Sequence, residues 1–147
     1  MRILALDLGD VWVGSALSDP LGIVCRPLKT IKRRDVSSFL DEVVVQYQVT
    51  TVLVGLPAGD GGQETEQSKK TKAFVDDCRR RFPALVWELL DEFLTSQLAS
   101  GHQQSVKKQR LSAQSKFESH SLAAAFLLKD YLHSRIPVAS EDTFDID

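Results

Sequence analysis

Three short apolar runs occupy the first 28 residues of the chain, and turn-forming residues separate them. The runs cover residues 3–8, 11–18 and 23–28, with Gly9-Asp10 after the first run and Asp19-Pro20-Leu21-Gly22 after the second. Short apolar runs bounded by Gly, Pro and Asp are typical of strands, and links this short join antiparallel neighbours. The sequence therefore predicts an antiparallel meander of three strands.

Helices and strands alternate after this meander. From Asp35, apolar residues at three-and-four spacing predict a helix that packs on one side. The segments that follow are a strand at 52–55, a helix at about Glu66 to Arg81, a strand at 85–90, a short helix near Thr95 to Ser100, a mobile loop over Gly101 to Glu118, and a largely buried helix over Ser121 to His133. We expect an α/β fold with a mixed sheet flanked by helices.

The length of 147 residues suits a single domain. We expect that domain over residues 1–136 and an acidic, flexible tail over 137–147, since four of the twenty acidic residues lie in the last seven positions. No run approaches the ~18 apolar residues of a membrane span, so no membrane partner is expected. Cys25 and Cys78 lack the spacing of a zinc site or a disulfide framework, and we interpret them as core thiols of a cytoplasmic protein. The sequence leaves the oligomeric state open.

Two acidic residues follow apolar strands. Asp7 ends the first run, where a carboxylate is costly unless it is paired or bound to a metal. Glu92 follows the run at 85–90, so the sheet could bring both acids to one edge. Clustered carboxylates suit Mg²⁺, which could activate water against a phosphodiester. Spacing alone allows the alternative equally well: Asp7 would cap the turn at Gly9, and Glu92 would cap the next helix.

Four segments, in order, resemble the YqgF/RuvX family. Residues 7–19 contain an Asp-x-Gly, a second Gly five residues later and a trailing Ser-Asp. Val54-Gly55-Leu56-Pro57 with Asp60-Gly61 is similar to the family's Gly-Leu-Pro strand end and Asp-Gly loop. Residues 91–99 resemble its Asp-Glu-Arg-Leu-Thr-Thr segment, and residues 121–132 resemble its final Ala-Ala helix. Together the segments cover nearly the whole chain.

This resemblance implies a ribonuclease H-like nuclease that depends on Mg²⁺ or Mn²⁺. It also implies a nucleic-acid substrate, either the 5′ end of pre-16S rRNA or branched DNA of the kind that Holliday-junction resolvases cut. Asp7 and Glu92 match the first two catalytic carboxylates and would hold the metal. The third family Asp falls on His120, which could bind a metal as neutral imidazole or be an ordinary residue at a helix start. Glu118 could replace the missing acid only if the last helix begins after it.

The positions of basic residues also differ from the family pattern. Val11-Trp12 stands where a basic residue is usual between the opening glycines, and Phe93 stands where the family has Arg. Basic clusters occur elsewhere, at Lys29/Lys32/Arg33/Arg34, Lys69/Lys70/Lys72, Arg79/Arg80/Arg81 and Lys107/Lys108/Arg110. Because the last cluster leads into the expected site, we predict that Lys107, Lys108 and Arg110 contact substrate phosphates. Each cluster could instead be part of a solvated surface that contacts no phosphate.

Three functions fit these observations. The first is a nuclease with an altered third catalytic position, and the second is a non-catalytic nucleic-acid-binding module of the same fold. A metal-dependent cleavage assay separates these two. The third is a phosphate-binding turn of the kind that opens sugar kinases and actin-like ATPases, suggested by Asp7-x-Gly9. Those proteins need two such lobes, and 147 residues supply one.

Overall fold

A computed structural model describes residues 1–56, 65–91 and 113–135 of the chain. Its strands are β1 (Arg2–Leu8), β2 (Trp12–Ser18), β3 (Cys25–Lys32), β4 (Val49–Leu56) and β5 (Val86–Asp91). They form one sheet in the order β3-β2-β1-β4-β5, with β1 in the centre. The first three strands are antiparallel, as predicted, and β4 and β5 run parallel to β1.

The helices in the described ranges are α1 (Val36–Tyr47), α2 (Glu66–Arg81) and α3 (Ala113–Arg135), and a 3₁₀ turn over Arg33–Asp35 precedes α1. The predicted start of α1 after Asp35 and the predicted range of α2 are confirmed. Thr65 begins α2 with a capping box, in which its hydroxyl accepts from the Ser68 N–H and the Ser68 hydroxyl accepts from the Thr65 N–H. This reciprocal pair satisfies backbone donors that the helix cannot satisfy internally.

Boundaries of three elements were predicted wrongly, and for β4 the error is a start at Val49 instead of residue 52. α3 begins at Ala113, so the loop expected over Gly101 to Glu118 is helical from residue 113 onwards. No Gly or Pro interrupts residues 102–136, and the helix therefore continues into a polar segment that lacks apolar periodicity. β3 reaches Lys32 instead of ending near residue 28, because Lys32 pairs with Trp12 of β2. The helix expected near 95–100 and the tail at 137–147 lie outside the described residues.

The two faces of the sheet carry separate apolar clusters. Leu4, Leu6 and Leu8 of β1 pack in the cluster that includes residues of α1 and α2. Ile3 and Ala5 pack in the cluster that includes residues of α3. Side chains alternate along a strand, so the residue after Leu6 faces α3. That residue is Asp7.

The burial of α3 and of the cysteines differs in part from the sequence interpretation. Leu127 and Leu128 are buried, but Leu122 is 42% exposed, so α3 is not covered on every side. Cys78 is buried, whereas Cys25 is only partly buried, and both are free thiols. Burial raises the pKa of the Cys78 thiol to about 11 and also raises the pKa of Cys25. In the part of the chain that the structure describes, no helix is long and apolar enough to cross a membrane.

Candidate active site

Asp7 lies near the end of the central strand, opposite Gly14 of β2. Its side chain is 19% exposed, and a carboxylate this shielded needs a partner. The partner is His120 of α3, whose Nδ1 lies 3.3 Å from Asp7 Oδ2. The turn at Gly9 is closed by the backbone, with the Gly9 N–H donating to the Trp12 carbonyl at 2.8 Å. The alternative in which the Asp7 side chain caps this turn therefore has no support among the described contacts, in which Asp7 meets His120.

His120 reaches Asp7 because α3 crosses the sheet directly over Gly14. A Cβ atom at Gly14 would lie 2.0 Å from the backbone carbon and oxygen of His120 and 2.5 Å from the Ser121 nitrogen. A Cβ at Gly9 would lie 2.7 Å from the Trp12 carbonyl oxygen of its own turn and 3.0 Å from Cε1 of the His120 ring. Only glycine allows the backbone approach at Gly14. The two glycines that follow Asp7 in the sequence therefore make room for the helix that carries His120.

A hydrogen bond between two buried hydroxyl groups holds α3 beside this crossing. It joins Ser121 Oγ to Thr30 Oγ1 of β3. Thr30 is the cross-strand partner of Gly14, so the bond lies next to the point of closest backbone approach. Neither Ser121 nor Thr30 was predicted as a site residue, because a single hydroxyl residue carries no motif. Their contribution depends on pairing across the fold.

The Ser-Asp pair at the end of the opening motif has a structural role away from Asp7. Ser18 Oγ accepts a hydrogen bond from the Ile3 N–H at 2.9 Å. The Asp19 carboxylate accepts from the Ile23 N–H at 2.7 Å and from the Val24 N–H at 2.9 Å. These backbone bonds, that from Val24 above all, lower the pKa of Asp19. They hold the turn between β2 and β3. This turn lies beside the start of β1, whereas Asp7 lies near the end of that strand.

The register of the parallel strands places the end of β5 at the same edge as Asp7. Leu6 pairs with Val54 of β4, and Val54 pairs with Leu89 of β5. The chain therefore leaves β5, after Asp91, at the edge where β1 ends. Glu92 lies outside the described residues, as do Lys107, Lys108 and Arg110. Their roles stay predictions.

The structure corrects the expected environment of His120. This residue is not at a helix start, because α3 begins at Ala113 and is continuous through residue 120. The condition set for Glu118, a helix that begins after it, is therefore not met. Within residues 1–56, 65–91 and 113–135, no three His, Cys, Asp or Glu side chains cluster in a way that could hold a metal ion. Within these residues, Asp7 and His120 supply two such side chains in contact.

Comparison with known proteins gives matches over most of the chain. The family model described as "RuvX: Holliday junction resolvase" matches residues 1–134. A protein of Chlorobium chlorochromatii named "Putative pre-16S rRNA nuclease" is 33% identical over 134 residues, which cover 91% of this chain and 96% of that protein. A protein of the same name from Sulfurihydrogenibium sp. is 33% identical over 144 residues, 97% of this chain and 96% of its own length.

Two solved structures resemble the fold. Thermus thermophilus RuvC in complex with a Holliday junction substrate superposes with a TM-score of 0.57 at 15% identity, over 93% of this chain and 96% of that chain. A second Thermus thermophilus RuvC structure gives a TM-score of 0.55 at 12% identity, over 92% and 96%. At these identities the likeness concerns the fold alone. It confirms the α/β, ribonuclease H-like fold expected from the sequence.

Proposed function

This chain belongs to the RuvX family, and we propose that it is a metal-dependent nuclease that hydrolyses phosphodiester bonds at the 5′ end of pre-16S rRNA. The name of the two relatives above supports the substrate class. One observation carries the site: His120, which matches the family's third acid, lies 3.3 Å from Asp7, which matches the first. Branched DNA is the second substrate to test, because one of the RuvC structures that resemble this fold is a complex with a Holliday junction.

The pair of Asp7 and His120 fits part of a ligand set for a divalent ion. Their 3.3 Å separation is close to the ~3 Å between neighbouring ligands of a six-coordinate ion with ligand distances of about 2.0–2.2 Å. A carboxylate suits both Mg²⁺ and Mn²⁺, whereas imidazole suits Mn²⁺ better. We propose Asp7 and Glu92 as the main ligands, with Glu92 supplied by the segment that follows β5. His120 is the proposed third catalytic position.

Such an ion would stabilise charge on the phosphoryl oxygens and lower the pKa of an attacking water. The chain's own residues set how readily it binds. An ionised carboxylate only accepts hydrogen bonds, so Nδ1 of His120 carries the hydrogen when it bonds to Asp7. The same nitrogen cannot donate to Asp7 and coordinate a cation at once. Coordination of one ion by both His120 Nδ1 and Asp7 Oδ2 therefore requires this hydrogen bond to break, and we expect a lower metal affinity than with an acid at position 120.

Three further parts of this proposal concern segments outside the described residues and the setting of the reaction. Lys107, Lys108 and Arg110, which precede α3 in the chain, contact substrate phosphates. Residues 1–136 form the nuclease domain, and residues 137–147 form an acidic tail. The reaction takes place in the cytoplasm.

The test is cleavage of a structured RNA and a four-way DNA junction with Mg²⁺ or Mn²⁺. We expect the wild type to prefer Mn²⁺, and Asp7→Asn to lower cleavage by on the order of a thousandfold or more. His120→Asp restores the family's acid and should raise Mg²⁺-dependent cleavage by roughly 10–100-fold. His120→Ala should not show that gain, because it adds no ligand.

Matched controls exist in the same turn and on the same helix. Asp10 is an exposed carboxylate three residues from Asp7, and His133 is an exposed histidine of α3. Asp10→Asn and His133→Ala should therefore leave cleavage unchanged. Equal cleavage by Asp7→Asn and Asp10→Asn would reject a nuclease site at Asp7. RNA binding without cleavage in every variant, His120→Asp included, would identify a non-catalytic binding module.

A further inference from the structure

Arg33 lies at the edge of the candidate site, although it is far from Asp7 in sequence. Its Nη1 donates to the Gly9 carbonyl at 3.2 Å, and its backbone N–H donates to the Val11 carbonyl at 2.8 Å. Both acceptors belong to the turn that follows Asp7. The guanidinium carbon also lies 5.6 Å from the centroid of the Phe74 ring of α2. These contacts fix a positive charge beside the turn that follows Asp7, on the α2 side of the sheet.

Lys32 extends this positive charge onto the face of the sheet that carries Asp7. It is the cross-strand partner of Trp12, and its Nζ lies 5.9 Å from the centroid of the Trp12 ring. Trp12 lies two residues before Gly14 on β2, and residues two apart on a strand share a face. Gly14 touches α3, so Trp12 and Lys32 are on the α3 face. Lys32 is exposed, and Trp12 is half-buried.

Lys32 and Arg33 differ from Arg79 and Arg80 of α2 in their charge partners. Arg79 and Arg80 lie 3.8 and 3.5 Å from the carboxylates of Asp76 and Asp77. Within the described ranges, no carboxylate forms an ion pair with Lys32 or Arg33. The planar guanidinium group has five N–H donors, and its fork matches the oxygens of a phosphate. A phosphate at this position would supply a negative partner that the described residues do not.

We propose that Lys32 and Arg33 form a phosphate-binding pair, which holds a nucleic-acid strand beside the bond to be cut at Asp7. The pair supplies, from the end of β3 and the 3₁₀ turn that follows, the positive charge that the opening turn lacks, where Val11-Trp12 replaces the family's basic residue. This inference rests on the proposed function for the identity of the strand. Phosphate binding by the pair does not require a metal ion, so it can be measured without cleavage.

The experiment measures binding of a labelled single-stranded RNA to the full chain in EDTA, over a series of salt concentrations. The variant is Lys32→Gln/Arg33→Gln, and the matched control is Arg79→Gln/Arg80→Gln, which removes the same charge from α2. At about 0.7 per phosphate contact on single strands, the first variant should lower the log-log salt slope by about 1.4. Its affinity should fall about tenfold at 0.1 M salt, while the control changes less than about twofold. Equal losses in both variants would overturn the proposal.

Two measurements keep the test independent of folding. Lys32 is exposed, so Lys32→Gln alone should leave the Tm unchanged and still weaken binding about threefold. Trp87 is 6% exposed, so quenching of tryptophan fluorescence by bound RNA should report mainly on Trp12 and be lost in Trp12→Phe. Unchanged binding by Lys32→Gln, or RNA binding without quenching, would overturn the proposal.

The two proposals fail in different ways. Cleavage that depends on Asp7, combined with binding that ignores Lys32 and Arg33, would overturn the phosphate-binding pair alone. Binding that depends on the pair, with no cleavage under any metal, would overturn the nuclease and leave the pair supported.

Discussion

The two faces of the sheet are built from side chains of different size. Among the residues that the structure describes, sixteen buried ones form the cluster under α1 and α2, and none of these is an alanine. Eight buried ones form the cluster under α3, and Ala5, Ala16 and Ala124 are three of these. Gly14 lies on the α3 face as well, at the point where the helix crosses. Small residues let a helix backbone come close to a strand, whereas large ones hold it away while burying more apolar surface.

This difference explains why the candidate site lies on the α3 face. Asp7, His120, Thr30 and Ser121 all lie there, while neighbours of Asp7 on the other face, such as Leu6, pack in the core under α1 and α2. A helix in backbone contact with a strand holds its side chains in a narrow range of positions. The α1 and α2 face thus supplies most of the apolar stability, and the α3 face sets the geometry of the site.

The largest expected effect is that of Gly14→Ala. The new Cβ would meet backbone atoms of His120 at 2.0 Å, and backbone cannot move aside as a flexible side chain can. We expect a loss of about 4 kcal/mol or more in the free energy of unfolding, measured by urea denaturation. Val54→Ile adds one methylene group on the other face and should cost about 1–3 kcal/mol. Equal costs for Gly14→Ala and Val54→Ile would show that the close approach of α3 to β2 does not make the two faces of the sheet different.

A smaller effect is expected at the hydroxyl pair that holds α3. Ser121→Ala removes the hydrogen bond between Ser121 and the buried Thr30 hydroxyl, which should cost about 0.5–1.5 kcal/mol of unfolding free energy. Thr30→Val should cost a similar amount, and the double variant should cost less than the sum. Ser134→Ala, at an exposed hydroxyl of the same helix, should stay within about 0.5 kcal/mol. Strict additivity of the two buried substitutions would contradict a direct contact.

The smallest effect is expected on the solvent side of α3. Leu122 is 42% exposed, so Leu122→Ala should change the free energy of unfolding by no more than about 0.5 kcal/mol. Leu128 is fully buried against the sheet, and Leu128→Ala serves as the matched variant, with an expected cost of about 2–5 kcal/mol. A comparable cost at Leu122 would mean that a further part of the molecule covers this side of α3.

Elements with strong local signals were predicted correctly from the sequence. The range of α2 agrees with the structure, and Thr65 and Ser68 cap its first turn. α1 follows Asp35 as expected, although the Asp35 side chain makes no capping hydrogen bond. The three-strand meander also agrees, because its turns are short enough to leave only antiparallel pairing. Caps, turns and helical spacing act within a few residues, and a single sequence contains them in full.

Elements whose limits depend on distant partners were predicted less well. The polar turns of α3 before Ser121 show no apolar stripe, so the spacing did not indicate a helix there. The last residues of β3 are strand because Trp12 and its neighbours on β2 pair with them. Pairing of this kind depends on where the other strand lies.

The sequence by itself determined the antiparallel meander of the first three strands, the family, the isolated carboxylate Asp7 and the substitution of an acid by His120. Only the tertiary structure decided which groups meet. Asp7 and His120 are 113 residues apart, and they touch because Gly14 admits the backbone of α3 onto β2. Arg33 likewise reaches the Gly9 carbonyl because β3 pairs beside β2. Local signals select helices and turns, but contacts across a sheet depend on how closely two backbones can approach, which the packing of the whole fold sets.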